Sequence, residues 1–86
     1  MKIDFTKVQI KDIEGKAVTA DVSKDLGNMM YFGDKDIAVA DLGHEIYHKG
    51  EVDLNREQAQ IVKAYVEEGF VAVVRRDLIP LLDSVK

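Results

Sequence analysis

The segment from Val8 to Val22, VQIKDIEGKAVTADV, constrains the fold more than any other part of the chain. Val8 and Ile10 alternate with polar residues on one side of a glycine-bearing turn, and Val18, Ala20 and Val22 alternate on the other. Period-two alternation on both flanks of a short polar loop predicts a β-hairpin. Loop length decides the register. A three-residue loop, Ile13-Glu14-Gly15, with Gly15 in the left-handed region, faces Asp12 with Lys16, Ile10 with Val18 and Val8 with Ala20. All even-numbered apolar residues then share one face. A two-residue loop at Glu14-Gly15 would split them between opposite faces, so the three-residue loop is expected. Ile3 and Phe5 are odd-numbered, which requires a phase change near Thr6-Lys7: a bulge or a separate short edge segment.

Beyond the hairpin the period lengthens. Ser23 is suited to cap a short helix, with Asp25 in its first turn, Leu26, Met29 and Met30 at helical spacing, and Gly33 as its stop. Asp34 or Asp36 opens a second helix that ends at Gly50. Asn55 with Gln58 spells a capping box for a third, whose stripe is Ile61, Val62, Tyr65 and Val66. After Gly69 the helical period resumes through Val71, Val74, Leu78, Leu81, Leu82 and Val85. Pro80 lies within it and should bend the helix or mark a 3₁₀ stretch rather than end it. The expected architecture is α+β: an antiparallel hairpin over about residues 3–22, packed on three to four short helices at about 24–32, 36–48, 56–68 and 70–85.

With 86 residues the chain has room for one core, so residues 1–86 are read as a single domain. Cysteine is absent, which excludes disulfides, thiolate metal sites and cysteine nucleophiles. The net charge of −4 is dispersed, and the one basic doublet, Arg75-Arg76, is followed at once by Asp77. Nucleic acid is therefore not an expected partner. No apolar run is long enough to span a bilayer, and the first residues lack the apolar run of a secretory signal, so a cytoplasmic protein without membrane association is expected.

His44-Glu45-Ile46-Tyr47-His48 spells H-E-x-x-H. In zinc peptidases that spelling places two imidazoles one helical turn apart on a metal, with the glutamate as general base. Here the metzincin continuation fails, because Glu51 and Leu54 stand where glycine and histidine are required. A third ligand could come only from farther on, at Glu67 or Glu68, and the chain has no room for a substrate-binding sheet. Amphipathicity explains the same residues more simply. Val39, Leu42, Gly43, Ile46 and Tyr47 form the apolar stripe of the second helix, and Asp41, His44, Glu45 and His48 form the polar one. The match is read as coincidental, with no catalytic residue and no cofactor. The alternative is a zinc-dependent hydrolase with His44 and His48 as ligands and Glu45 as base.

No nucleophile elbow, phosphate loop or dinucleotide fingerprint occurs. What stands out is apolar excess. One short helix cannot bury Leu26, Met29, Met30, Tyr31 and Phe32 on a single face, and Phe70 to Val74 are apolar around more than half of theirs. Met29, Met30, Tyr31, Phe32, Phe70 and Val73 are therefore candidates for an interface with a protein partner or a second copy of the chain.

The stretches Ile10-Lys11-Asp12-Ile13-Glu14-Gly15, Lys24-Asp25-Leu26-Gly27-Asn28 and Ile46-Tyr47-His48-Lys49-Gly50-Glu51-Val52-Asp53-Leu54 resemble, in pattern, a group of small proteins carried by prophages and mobile elements of gut bacteria. The likeness covers most of the chain and includes no catalytic motif. It implies an accessory or structural phage-type role, supplies no active site, and would make His44 incidental. The expected function is a non-enzymatic interaction or assembly protein.

Overall fold

The computed structural model describes all residues from Met1 to Lys86. Strands β2 (Val8–Lys11) and β3 (Ala17–Ala20) form the antiparallel hairpin in the expected register, pairing Val8 with Ala20 and Ile10 with Val18. The Asp12 N–H donates to the Lys16 carbonyl at 2.9 Å. Gly15 adopts φ 83°, the conformation that closes a type I turn with a bulge and that a Cβ would oppose. The Asp12 carboxylate accepts from the Glu14 and Lys16 amides and fixes the loop. Ile13 projects entirely into solvent at its tip.

The hairpin is shorter than the expected 3–22. Strand β1 (Lys2–Asp4) leaves it and pairs antiparallel with β4 (Glu51–Asp53), aligning Ile3 with Val52 in a second, separate two-stranded sheet. This is the physical meaning of the odd phase of Ile3 and Phe5, whose side chains enter the core. Strand β4 had no expectation attached to it. Three residues with one buried valine carry too little alternation to be recognised without the partner strand.

Helix α1 (Ser23–Gly33) follows the hairpin. Ser23 is not its cap. It is the first helical residue, buried, and its amide and hydroxyl both donate to the Asp21 carboxylate. A carboxylate two residues upstream has taken the local role that serine could have filled. Helix α2 (Ile37–Lys49) is capped by Asp36, which accepts from the Ala38 amide. It stops at Gly50, at φ 75°, whose N–H donates to the Ile46 carbonyl. Helix α3 (Arg56–Gly69) carries the full reciprocal box between Asn55 and Gln58.

The chain then breaks at Phe70 and Val71, both extended, before α4 (Ala72–Asp83). This fourth helix is shorter at both ends than the expected 70–85 and contains Pro80 without stopping there. Val74, Leu78, Leu82 and Val85 form its buried line, whereas Val71 and Leu81 are exposed. Val71 lies in the extended break, outside the helical phase that was expected to bury it.

Eighteen buried apolar side chains make one contiguous core, drawn from every element except β3. Helices α1 and α2 pack along each other, α3 contacts α1 and α4, and β2 lies on α4. The Lys11 amide reaches the Asp77 carboxylate at 3.2 Å across that last contact. No helix is long and apolar enough to cross a membrane.

Candidate functional site

The α1–α2 pair is a helical hairpin joined by Asp34-Lys35-Asp36. Two glycines set how closely its arms approach. A Cβ built on Gly27 would lie 2.7 Å from the Gly43 carbonyl oxygen and 2.7 Å from the Tyr47 Cβ. One built on Gly43 would lie 2.7 Å from the Met30 Cβ and 2.9 Å from the Gly27 carbonyl oxygen. Glycine in a helix interior costs about 1 kcal/mol relative to alanine. Here the cost is met by backbone-to-backbone contact.

That approach brings the exposed flanks of the two helices together. Residues 27, 28 and 31 on α1 face residues 44, 47 and 48 on α2, each set spaced to share one side of its helix. With Phe32 they line a shallow cleft of about 170 Å³. Its rings form a continuous file. The Phe32 and Tyr31 centroids are 5.1 Å apart at 82°, and Tyr31 to His44 is 6.2 Å. His44 to His48 is 4.4 Å at 51°, and His48 to Tyr47 is 5.0 Å at 67°. The Lys24 ammonium lies 4.4 Å from the centre of the Tyr47 ring, in cation–π range. Phe32 is 81% exposed and Tyr31 48%.

The expected interface residues therefore divide. Tyr31 and Phe32 are at the surface, in the file. Met30 is not: it is fully buried beneath Gly43 and belongs to the core. Met29 is half-buried, its side-chain end against Gly69 of α3. Phe70 is half-buried against the core, while Val73 is exposed near the α3–α4 break. Tyr47, Asn28 and Lys24 were not among the candidates. The signal that could have found them is the pair of glycines inside two helical patterns, which marks a close crossing and so identifies what flanks it.

His44, Glu45 and His48 are all exposed, on the polar stripe that amphipathicity assigns them. Glu45 pairs with Lys49 at 3.9 Å rather than with either imidazole. A catalytic zinc site takes three protein ligands. Glu67 and Glu68, the third ligands that the sequence offered, line a different groove with Arg75 and Arg76. No group of three or more His, Cys, Asp or Glu side chains converges anywhere in the chain.

Behind the file, the interhelical loop is anchored to α3. One Asp34 carboxylate oxygen accepts from the Asp36 amide at 2.8 Å, and the other accepts from the Tyr65 hydroxyl at 2.6 Å. The tyrosine hydroxyl and that amide hold the Asp34 carboxyl below its ordinary range. Burial, then the Asp34 bond, push the Tyr65 phenol up to about 12.

Comparison of the chain with protein-family models, with curated proteins and with solved structures gives no match. The geometry of the chain's own residues is what a functional reading has to rest on.

Proposed function

We propose that this is a non-enzymatic assembly protein that binds a second copy of itself through the aromatic file on the α1–α2 edge. The observation that carries the reading is Phe32: a large apolar ring 81% exposed, beside an aromatic cleft instead of alone on a polar surface. Interface cores are enriched in tyrosine, phenylalanine and methionine, with charge kept to the rim. The file supplies Tyr31, Phe32 and Tyr47 together with two histidines, and Lys24 and the Glu45–Lys49 pair lie beside it. Aromatic side chains, with only two torsions each, also lose little conformational freedom on docking. The sequence likeness to small prophage-borne proteins fits an accessory role of this kind, in the cytoplasm.

Burying a phenylalanine side chain stabilises by about 2 kcal/mol. In a two-fold dimer each substitution counts twice, so Phe32→Ser should weaken self-association by about 4 kcal/mol, roughly a thousandfold. Size-exclusion chromatography with light scattering tests this. The expected result is a mass above the 9.7 kDa of one chain at high concentration, reverting to one chain in Phe32→Ser. A strictly monomeric particle at millimolar concentration, or self-association unchanged by Phe32→Ser, would overturn the reading.

A further inference from the structure

We propose that His44 and His48 form a two-imidazole clip for a divalent transition-metal ion of the copper(II) or nickel(II) class, set in the aromatic cleft. An imidazole nitrogen binds such an ion at about 2.1 Å and lies about 1.1 Å from its ring centre, so the ion stands about 3.2 Å from each centre. The two ring centres are 4.4 Å apart. For an ion that takes one nitrogen from each ring, those three lengths open the two metal–nitrogen directions by about 90°, the angle between adjacent positions in square-planar and octahedral coordination. Tetrahedral coordination, which zinc prefers, needs the centres about 5.2 Å apart.

Three further features favour the clip. Both rings are exposed, so an ion reaches them without local unfolding. The protein partners of these rings are other rings, and no hydrogen bond or ion pair within the chain occupies their nitrogens. Each ring also has an aromatic neighbour: His44 is flanked by Tyr31 and His48 by Tyr47, each within aromatic contact distance. Two rings already side by side on one helix lose less entropy on binding an ion than two free imidazoles do. The clip fills two coordination positions and leaves the others to water, so it is a binding site without the third protein ligand of a catalytic zinc centre.

Calorimetric titration of the untagged full chain with copper(II), nickel(II) and zinc(II) chlorides tests the proposal. Copper(II) electron paramagnetic resonance reports the number of bound nitrogens. The expected result is one ion per chain, two nitrogen donors, and affinity in the order copper above nickel above zinc. His44→Ala and His48→Ala should each weaken binding at least tenfold. Both positions are exposed, and circular dichroism checks that the variants remain folded. A geometric control combines His48→Ala with Lys49→His, which keeps two imidazoles but separates them by five residues, on different sides of the helix. It should not restore the lost affinity. Zinc binding more tightly than copper, undiminished uptake in His44→Ala, or full uptake by the control would overturn the proposal. His44 and His48 line the same cleft as Phe32, so each titration is run at a chain concentration where light scattering gives a single chain, which keeps its outcome separate from that of the self-association test.

Discussion

Replacing Gly43 with alanine tests the packing that builds the candidate site. Two effects oppose each other. Alanine favours the helix over glycine by about 1 kcal/mol, which would stabilise α2 if the new methyl met only open space. It does not: it would sit 2.7 Å from the Met30 Cβ, 2.9 Å from the Gly27 carbonyl oxygen and 3.1 Å from the Tyr31 amide nitrogen. Carbon atoms pack favourably at about 3.5–4.0 Å, so the arms must part by about 1 Å. None of the three atoms is the free end of a flexible side chain, so no rotamer change relieves the clash. Separating the helices also loosens Leu26, Met30, Leu42 and Ile46, four buried members of the core. Overpacking of this kind costs about 1–3 kcal/mol, with the upper part of that range expected where backbone must move. After the propensity gain, the net loss should be about 2 kcal/mol. For a domain of this size that lowers the melting temperature by about 8–16 °C.

Thermal and urea unfolding followed by circular dichroism give the assay. Gly27→Ala should behave alike, its methyl meeting the Gly43 carbonyl oxygen and the Tyr47 Cβ. Gly33→Ala is the control. Its methyl meets only the Tyr65 ring edge at 3.6 Å, an ordinary contact, so stability should hold or rise slightly. A Gly43→Ala protein as stable as the parent would refute the close-crossing argument, and with it the account of how the aromatic file is brought together.

Other consequences can be checked with the same instruments. Tyr65→Phe removes the hydroxyl from Asp34 and should lower the melting temperature by about 5 °C at neutral pH. The same pair sets two pH limits. The Asp34 carboxyl is held low in the folded state, so its stabilisation is present above the ordinary carboxylate range and is lost as pH falls through the depressed folded value. The Tyr65 phenol is raised from 10.0 to about 12, so its contribution is complete below pH 10.0 and disappears as pH rises towards 12. In Tyr65→Phe the alkaline loss between those values should shrink, and a pH–stability profile identical to the parent's would contradict the assignment. Asn55→Ala removes one half of the α3 capping box and should cost about 1 kcal/mol in urea unfolding, against no change if the box is ornamental. Gly50→Ala puts a Cβ at φ 75° and against the Thr6 side chain; it should destabilise by about 1–2 kcal/mol, and a neutral result would mean that the α2–β4 corner relaxes freely.

How much of this was legible beforehand follows from the range of each interaction. The β2–β3 register, the α3 box and the Gly50 stop are set within five residues of chain, and the local pattern was enough to predict them. Ser23 shows how a local reading fails: serine has the right chemistry for a cap, but Asp21 lies two residues earlier and ties up both its amide and its hydroxyl. Strand β4 pairs with β1 across some fifty residues, and no local signal carries that pairing. The interface candidates were legible as an excess of apolar residues on α1, but not which of them stays outside. Met30 goes in because Gly43 leaves it room, while Tyr31 and Phe32, one and two residues on, are turned away from the core. The histidine stripe was foreseen from the amphipathic period, and its two rings are exposed as that period requires. Their convergence to 4.4 Å depends on rotamers that spacing alone does not specify.

The central claim is that the Tyr31–Phe32 edge is where this protein meets a second copy of itself. The most direct measurement is a concentration series of ¹⁵N–¹H spectra on the full chain. Shifts that saturate with concentration and cluster at Asn28, Tyr31, Phe32, His44, Tyr47 and His48 are the result predicted. Shifts confined to the β3 edge or to Val71 and Val73, or spectra unchanged up to millimolar concentration, would contradict it.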